Sequence, residues 1–106
     1  MVPVYTSGDW HVKPGLEQEF VEVWREVAEW SGSQFDPQGR AMLLHDKEDP
    51  GHFVSVGEWP DEQVVEEWRR SSGYKERVNR IMELVEGMRI STLDLVAEAG
   101  SKPAGS

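Results

Sequence analysis

The stretch HFVSVGEWPDEQVVEEWRRSSGY, residues 52–74, reads as a strand, a tight turn and a helix in succession. His52 to Trp59 is rich in β-compatible residues, and Pro60-Asp61 ends it. Asp61 suits a helix N-cap, with Glu62 in the first turn beyond it. Val64, Val65 and Trp68 begin an apolar helix face. Ser71-Ser72-Gly73 is a break or kink, after which Tyr74, Val78, Ile81, Met82 and Val85 restore helical spacing. Gly87 then releases the chain.

Working towards the amino terminus, Arg40 to Asp46 forms a second short β-run, joined to His52–Trp59 by a polar segment with a Pro50-Gly51 turn signal, so the two make a hairpin. Leu16, Phe20, Val23, Trp24, Val27 and Ala28 follow the spacing of an amphipathic helix from Leu16 to about Trp30. Ser31-Gly32-Ser33 is expected to end it, and Asp36-Pro37-Gln38-Gly39 to carry the chain onward. Val2 to Val12 is a first strand, stopped by Pro14-Gly15. Its alternation puts Tyr5, Ser7, Asp9 and His11 on one face and Val4, Thr6, Gly8, Trp10 and Val12 on the other. Towards the carboxyl terminus, Met88 to Val96 is a fourth strand. The order β, α, β, β, α, β predicts an α+β, ferredoxin-like βαββαβ fold, a four-stranded antiparallel sheet with two helices on one face. Residues 1–98 form the domain and 99–106 a disordered tail. On the uncovered face Met42, Leu44, Val54, Val56, Ile90 and Val96 are expected, with Leu43, Phe53, Leu93 and Leu95 towards the helices. An exposed apolar patch of that kind marks an interface, and a second subunit packed sheet to sheet covers it.

A chain of 106 residues with 38% apolar content and five Trp supports one small core, which makes a homodimer attractive. Eleven Lys and Arg against twenty Asp and Glu leave a net charge of -9, which argues against nucleic acid and against anionic membrane surfaces. There is no cysteine, hence no disulfide framework, thiolate nucleophile or thiolate metal site. No apolar stretch approaches the roughly 20 residues of a membrane span, and no secretory signal is seen; a cytoplasmic location is expected.

Lys13-Pro14-Gly15 followed by Glu19-Phe20 and Trp24, the strand Phe53 to Trp59, the helix from Asp61, and Trp68 to Tyr74 resemble the antibiotic biosynthesis monooxygenase family over roughly Val4 to Val96. The resemblance implies a dimeric α+β barrel, with a ligand cavity in each subunit between sheet and helices. It implies oxygenation of quinol-like or polyketide-like aromatics without metal or flavin. The alternative is a non-catalytic dimer that binds a small hydrophobic ligand. In the heme-degrading branch a second-helix Trp, a His ten residues later and a first-strand Asn work together. Trp68 matches the Trp, but the His position is Val78 and the first strand offers Ser7 and Gly8. Heme is therefore disfavoured, since Val78 cannot ligate iron, and no cofactor is expected.

Such oxygenation needs a base, a hydrogen-bond partner for developing oxygen charge and aromatic walls. If the Tyr5–His11 face lines the cavity, His11 or Asp9 is the best base and Ser7 a contact; otherwise they are an exposed strand end. Tyr74 offers a phenol for a substrate oxygen, or a core ring with its hydroxyl in water. Trp59 and Trp68 are walls or core. Arg77 and Arg89 suit an anionic substrate or solvated ion pairs. His45 and His52 face each other if the turn leaves Asp46 opposite Gly51, but two imidazoles fall short of a metal site, and none is expected. Glu62, Glu66 and Glu67 read as a solvated helix face.

Overall fold

In the computed structural model, which describes residues 3–35 and 40–100, strand β1 (Val4–Val12) buries Val4, Thr6, Gly8, Trp10 and Val12. The residues between them are only half-buried or exposed, which is the signature of a strand covered on one face. Helix α1 is Glu17–Phe35, β2 is Ala41–His45, β3 is His52–Trp59, α2 is Glu62–Arg70, α3 is Ser72–Met82 and β4 is Val85–Asp94. The strands lie in the order β2-β3-β1-β4, each neighbour antiparallel. This is the expected ferredoxin-like α+β arrangement, with the second helix in two pieces.

Ser71 makes that division. Its backbone is extended, its N–H and hydroxyl both donate to the Trp68 carbonyl, and its Oγ accepts the Tyr74 N–H. One serine thus closes α2 and opens α3. Asp61 caps α2 in the expected way, its Oδ1 accepting from the Val64 N–H at 3.0 Å.

The ends of α1 and β4 and the faces of two β4 side chains differ from the sequence reading. Helix α1 runs through Ser31-Gly32-Ser33 to Phe35, because Ser31 Oγ donates back to the Val27 carbonyl and Ser33 Oγ to that of Trp30. The hydroxyls that suggested a stop are satisfied inside the helix. Strand β4 begins at Val85, so Gly87 lies within it. Its pairing with β1 shifts register between His11 and Val12, and this irregularity lets the ladder continue to the end of α3. Ile90 lies opposite Gly8 and packs on the core, whereas Leu93 lies opposite Tyr5 and is exposed. Their expected faces are therefore exchanged, since register alone fixes which face a strand residue occupies. Met42, Leu44, Val54 and Val56 do share the uncovered face, through the pairs Met42–Val56 and Leu44–Val54. Residues 36–39 and 101–106, expected as loop and tail, lie outside the described residues, and Val96 lies beyond the end of β4.

Two buried clusters hold the helices on the sheet. Trp10, Phe20, Phe53 and Ile81 centre the larger, and Val4, Trp59 and Val65 the smaller. Trp10 lies back along its own strand, so an added Cβ on Gly8 would stand 2.5 Å from the indole. That ring is 5% exposed and donates its N–H to Ser55 Oγ at 3.0 Å, so it has nowhere to go. Gly8→Ala is expected to lower stability by about 1–3 kcal/mol, the usual cost of overpacking. Urea denaturation checks this, and an unchanged or raised midpoint would contradict it.

Candidate active site

Where the two clusters meet they leave a cavity of about 100 Å³ on the helix side of the sheet. Trp10, Trp24, Trp59, Trp68, Arg69 and Tyr74 are among its walls. The helix break is what brings the last of these together. In an unbroken helix, residues six apart are turned by about 240°, on opposite sides. With the chain redirected at Ser71, the Tyr74 ring meets Trp68 edge-on, centroids 4.6 Å apart, and Trp68 lies 4.5 Å from Trp59.

Three of the four indole N–H groups of this wall are already used. Trp10 donates to Ser55, Trp59 to Thr6 at 3.1 Å, and Trp68 to Ser31 at 2.8 Å. These pairings fix the rings in place, so the wall offers a ligand apolar faces with the N–H groups turned away. Arg40, Glu58, Arg69 and Tyr74 are among the polar groups on the wall. Arg69 reaches β4, where its Nη1 donates to Thr92 Oγ1 and its Nη2 to the Ser91 carbonyl, and its guanidinium stands 6.0 Å from the Trp68 centroid. Its Nε is buried and has no partner, an uncommon state for a buried donor. Burial pushes the Tyr74 phenol above its ordinary range, and the adjacent Arg69 charge offsets part of this. Tyr74 is therefore a neutral hydrogen-bond donor near neutral pH rather than a base.

The structure places the other expected residues as follows. Ser7 borders the cavity, though strand parity assigns its side chain to the far face of the sheet. Asp9 and His11 belong to that far face too and do not line the cavity. Arg77 stacks over Trp30 at 4.2 Å and donates to the Gly73 carbonyl, away from the cavity wall. Arg89 lies across from Asp9 on the exposed face. His45 does not face His52: its Cα partner is Phe53, on whose ring it stacks at 4.3 Å, and its Nε2 lies 2.9 Å from the Pro50 carbonyl. His52 instead pairs with His11.

His52 is held between two carboxylates, with Asp46 Oδ2 2.8 Å from Nδ1 and Asp9 Oδ1 2.6 Å from Nε2. The hydrogen bond to Asp46 is the main cause that raises the His52 pKa, and the same bond lowers that of Asp46. A raised histidine contributes stability that is full below about pH 6.5 and lost as pH rises through the folded value. A lowered aspartate contributes stability present above about pH 3.9 and lost as pH falls through its folded value. In chelator-treated protein the melting temperature is therefore expected to gain from this pair most between about pH 4 and 6.5. Asp46→Asn should flatten that part of the profile, and a variant with an unaltered profile would contradict the assignment.

A family profile described as antibiotic biosynthesis monooxygenase matches residues 3–80. The chain belongs to the antibiotic biosynthesis monooxygenase family. A search of curated protein sequences returns no significant match. Among solved structures, one described as an antibiotic biosynthesis monooxygenase is 23% identical, with 89% of this chain and 99% of that one covered and a TM-score of 0.74. A conserved protein from Methanosarcina mazei Go1 is 22% identical, with coverages of 89% and 93% and a TM-score of 0.74. SnoaB, a cofactor-independent oxygenase from Streptomyces nogalater, is 16% identical over the whole of both chains, with a TM-score of 0.76. At these identities the likeness is one of fold. Heme, which the family resemblance raises, does not suit this cavity: its volume is about 100 Å³, Val78 is not among its walls, and no imidazole lines it among the described residues.

Arg69 and Ser31 escape a reading by spacing. Arg69 is one of two consecutive arginines ending α2, and only its reach to Ser91 and Thr92 on β4 separates it from the exposed Arg70. Ser31 looks like a helix terminator until the indole that it receives is known.

Proposed function

We propose that the protein is an oxygenase that acts without metal or flavin on a small electron-rich aromatic of the quinol class, bound in the helix-side cavity. The observation that carries this reading is the Arg69 guanidinium set beside the Tyr74 and Trp68 rings on the wall of an aromatic-walled cavity. A phenolate oxygen there lies close to the Arg69 charge, which favours the deprotonated substrate before oxygen reacts. Trp59, Trp68 and Tyr74 hold the ring, and the Tyr74 hydroxyl donates to a substrate oxygen. The bound anion passes one electron to dioxygen, and the two radicals combine at a ring carbon. The peroxide so formed takes up the proton given off when the quinol ionised. The hydroperoxide then loses water, its ring C–H bond breaking with the O–O bond, to leave a carbonyl. The substrate supplies the electrons; the protein supplies position, charge and a dry setting.

A cavity of about 150 Å³ accepts benzene, and this one is about 100 Å³. Even a monocyclic quinol therefore requires the walls to part, and a fused polyketide-like ring system requires it to a greater extent, which makes monocyclic quinols the first choice. A second reading, a dimer that binds such a ligand without turnover, is favoured by the absence of an imidazole from the described cavity walls. Oxygen uptake in the presence of chelator, with hydroquinones and anthrones offered in turn, separates the two. Uptake supports oxygenation, and saturable binding without uptake supports the second.

Both readings include a homodimer formed through the uncovered sheet face. Met42, Leu44 and Leu93 are 38%, 51% and 47% exposed there, and a second copy packed sheet to sheet would cover them. Light scattering at micromolar concentration is expected to give twice the chain mass, and Leu44→Glu to give the single-chain mass. A monomeric wild-type protein would contradict the expectation.

A further inference from the structure

We infer that Asp9, His11 and His52 form a binding site for a first-row transition dication of the Zn²⁺ class, on the sheet face opposite the cavity. His11 and His52 are direct partners in the β1–β3 ladder, and Asp9 lies two residues before His11 on the same face. That register gathers three donor side chains from two strands without any loop rearrangement. One ligand atom from each lies within 4.8 Å of the others. His11 Nε2 is 3.8 Å from Asp9 Oδ1, and His52 Nε2 is 2.6 Å from the same oxygen. Around an ion with ligands at about 2.0–2.2 Å, tetrahedral donors stand about 3.3–3.6 Å apart. The first separation is close to that already. The second is a hydrogen bond, and an ion taking the place of its proton requires the pair to open by under about 1 Å.

Asp46 is a second and independent indication. It holds Nδ1 of His52 at 2.8 Å, leaving Nε2 to face Asp9 and His11. A carboxylate on the remote nitrogen of a ligating imidazole fixes the tautomer and raises basicity, which is the usual support of a metal-bound histidine. Asp46 is itself held by the turn, its Oδ1 accepting the Glu48 N–H and its N–H donating to the His52 carbonyl. The His11 and His52 rings are nearly parallel, 10° apart, with centroids at 4.9 Å. In the single chain the side chains of Asp9, His11 and His52 are 50%, 53% and 24% exposed. They lie on the face through which two copies are proposed to pair, so the ion is taken up before that face closes. Two imidazoles and one carboxylate select Zn²⁺, Co²⁺, Ni²⁺ or Cu²⁺ over Mg²⁺ and Ca²⁺, which prefer all-oxygen shells. Lying across the sheet from the cavity, the ion clamps β1 to the β2–β3 hairpin and takes no part in the oxygenation.

Titration of the full-length, metal-free chain with Zn²⁺ against a chromophoric chelator tests this. One equivalent per chain is expected, with affinity about 10- to 100-fold weaker in Asp46→Asn, weaker still in His52→Gln and His11→Gln, and unchanged in His45→Gln. Co²⁺ should give the visible absorption of a low-symmetry, four-coordinate ion, a signature that does not depend on any variant folding. The assignment is overturned if the wild type binds no Zn²⁺. Equal loss in His45→Gln, tight binding retained in both His11→Gln and His52→Gln, or Ca²⁺ bound as tightly as Zn²⁺ would overturn it too.

Discussion

Arg69→Met is expected to lower kcat/KM for a quinol by about 100-fold, the scale seen when a donor aimed at developing oxygen charge is removed. Arg69 is a cation on the cavity wall beside the Trp68 and Tyr74 rings. Without it the bound quinol ionises less readily, and the electron transfer to oxygen has less anion to draw on. The loss should therefore be greatest near neutral pH and shrink as the medium becomes alkaline enough to ionise the substrate unaided. Arg69 also ties α2 to β4 through Thr92 and Ser91, so lower activity alone would not separate a chemical role from a structural one. The pH dependence does, because a merely loosened fold gives no selective recovery at alkaline pH. Arg69→Lys keeps the charge but loses the fork and should fall between the two. An oxygen electrode and a urea curve on the same preparations suffice. Wild-type kcat/KM in Arg69→Met would remove Arg69 from the chemistry.

The frame of this fold is legible in residues 52–74 because each signal there is local: β-compatible residues, a Pro-Asp turn, a capping aspartate and a serine at the break. Those cues depend on dihedral preferences and nearest hydrogen bonds, which a single chain segment carries with it. The parity of β1 was equally plain. What parity cannot disclose is which face the helices cover, and the roles of Asp9 and His11 hang on that choice. Their strand face is the one away from the cavity, where they meet His52. The exchange of Ile90 with Leu93 has the same origin, since register against β1 is a property of the pair. Ser31 shows the opposite limit. Its short-range tendency to end a helix is real, yet the back-bond to Val27 and the Trp68 indole outweigh it. Arg69 and Arg70 are chemically identical neighbours, and only the sheet beneath α2 distinguishes them.

Trp59→Ala is expected to be the most damaging single substitution in the smaller cluster, lowering stability by about 3–5 kcal/mol. The ring is 4% exposed, packs on Trp68 at 4.5 Å and shares its cluster with Val4 and Val65. Removing it takes away the transfer energy of a large side chain and leaves a void continuous with the existing cavity, which rigid strands on either side cannot close. For a domain whose total stability is on the order of 5–15 kcal/mol, that is about a fifth or more of the whole. Trp59→Phe keeps most of the volume and forfeits chiefly the hydrogen bond to Thr6, for a cost of about 1 kcal/mol. The contrast separates packing from the polar contact. Because the void joins the cavity, added indole should restore part of the lost stability to the alanine variant and leave the wild type unmoved. A urea series with and without indole reads both effects. A loss below about 1 kcal/mol in Trp59→Ala would mean that the cluster closes around the gap, and Trp59 would then be a replaceable wall of the site rather than the post on which strand and helix meet.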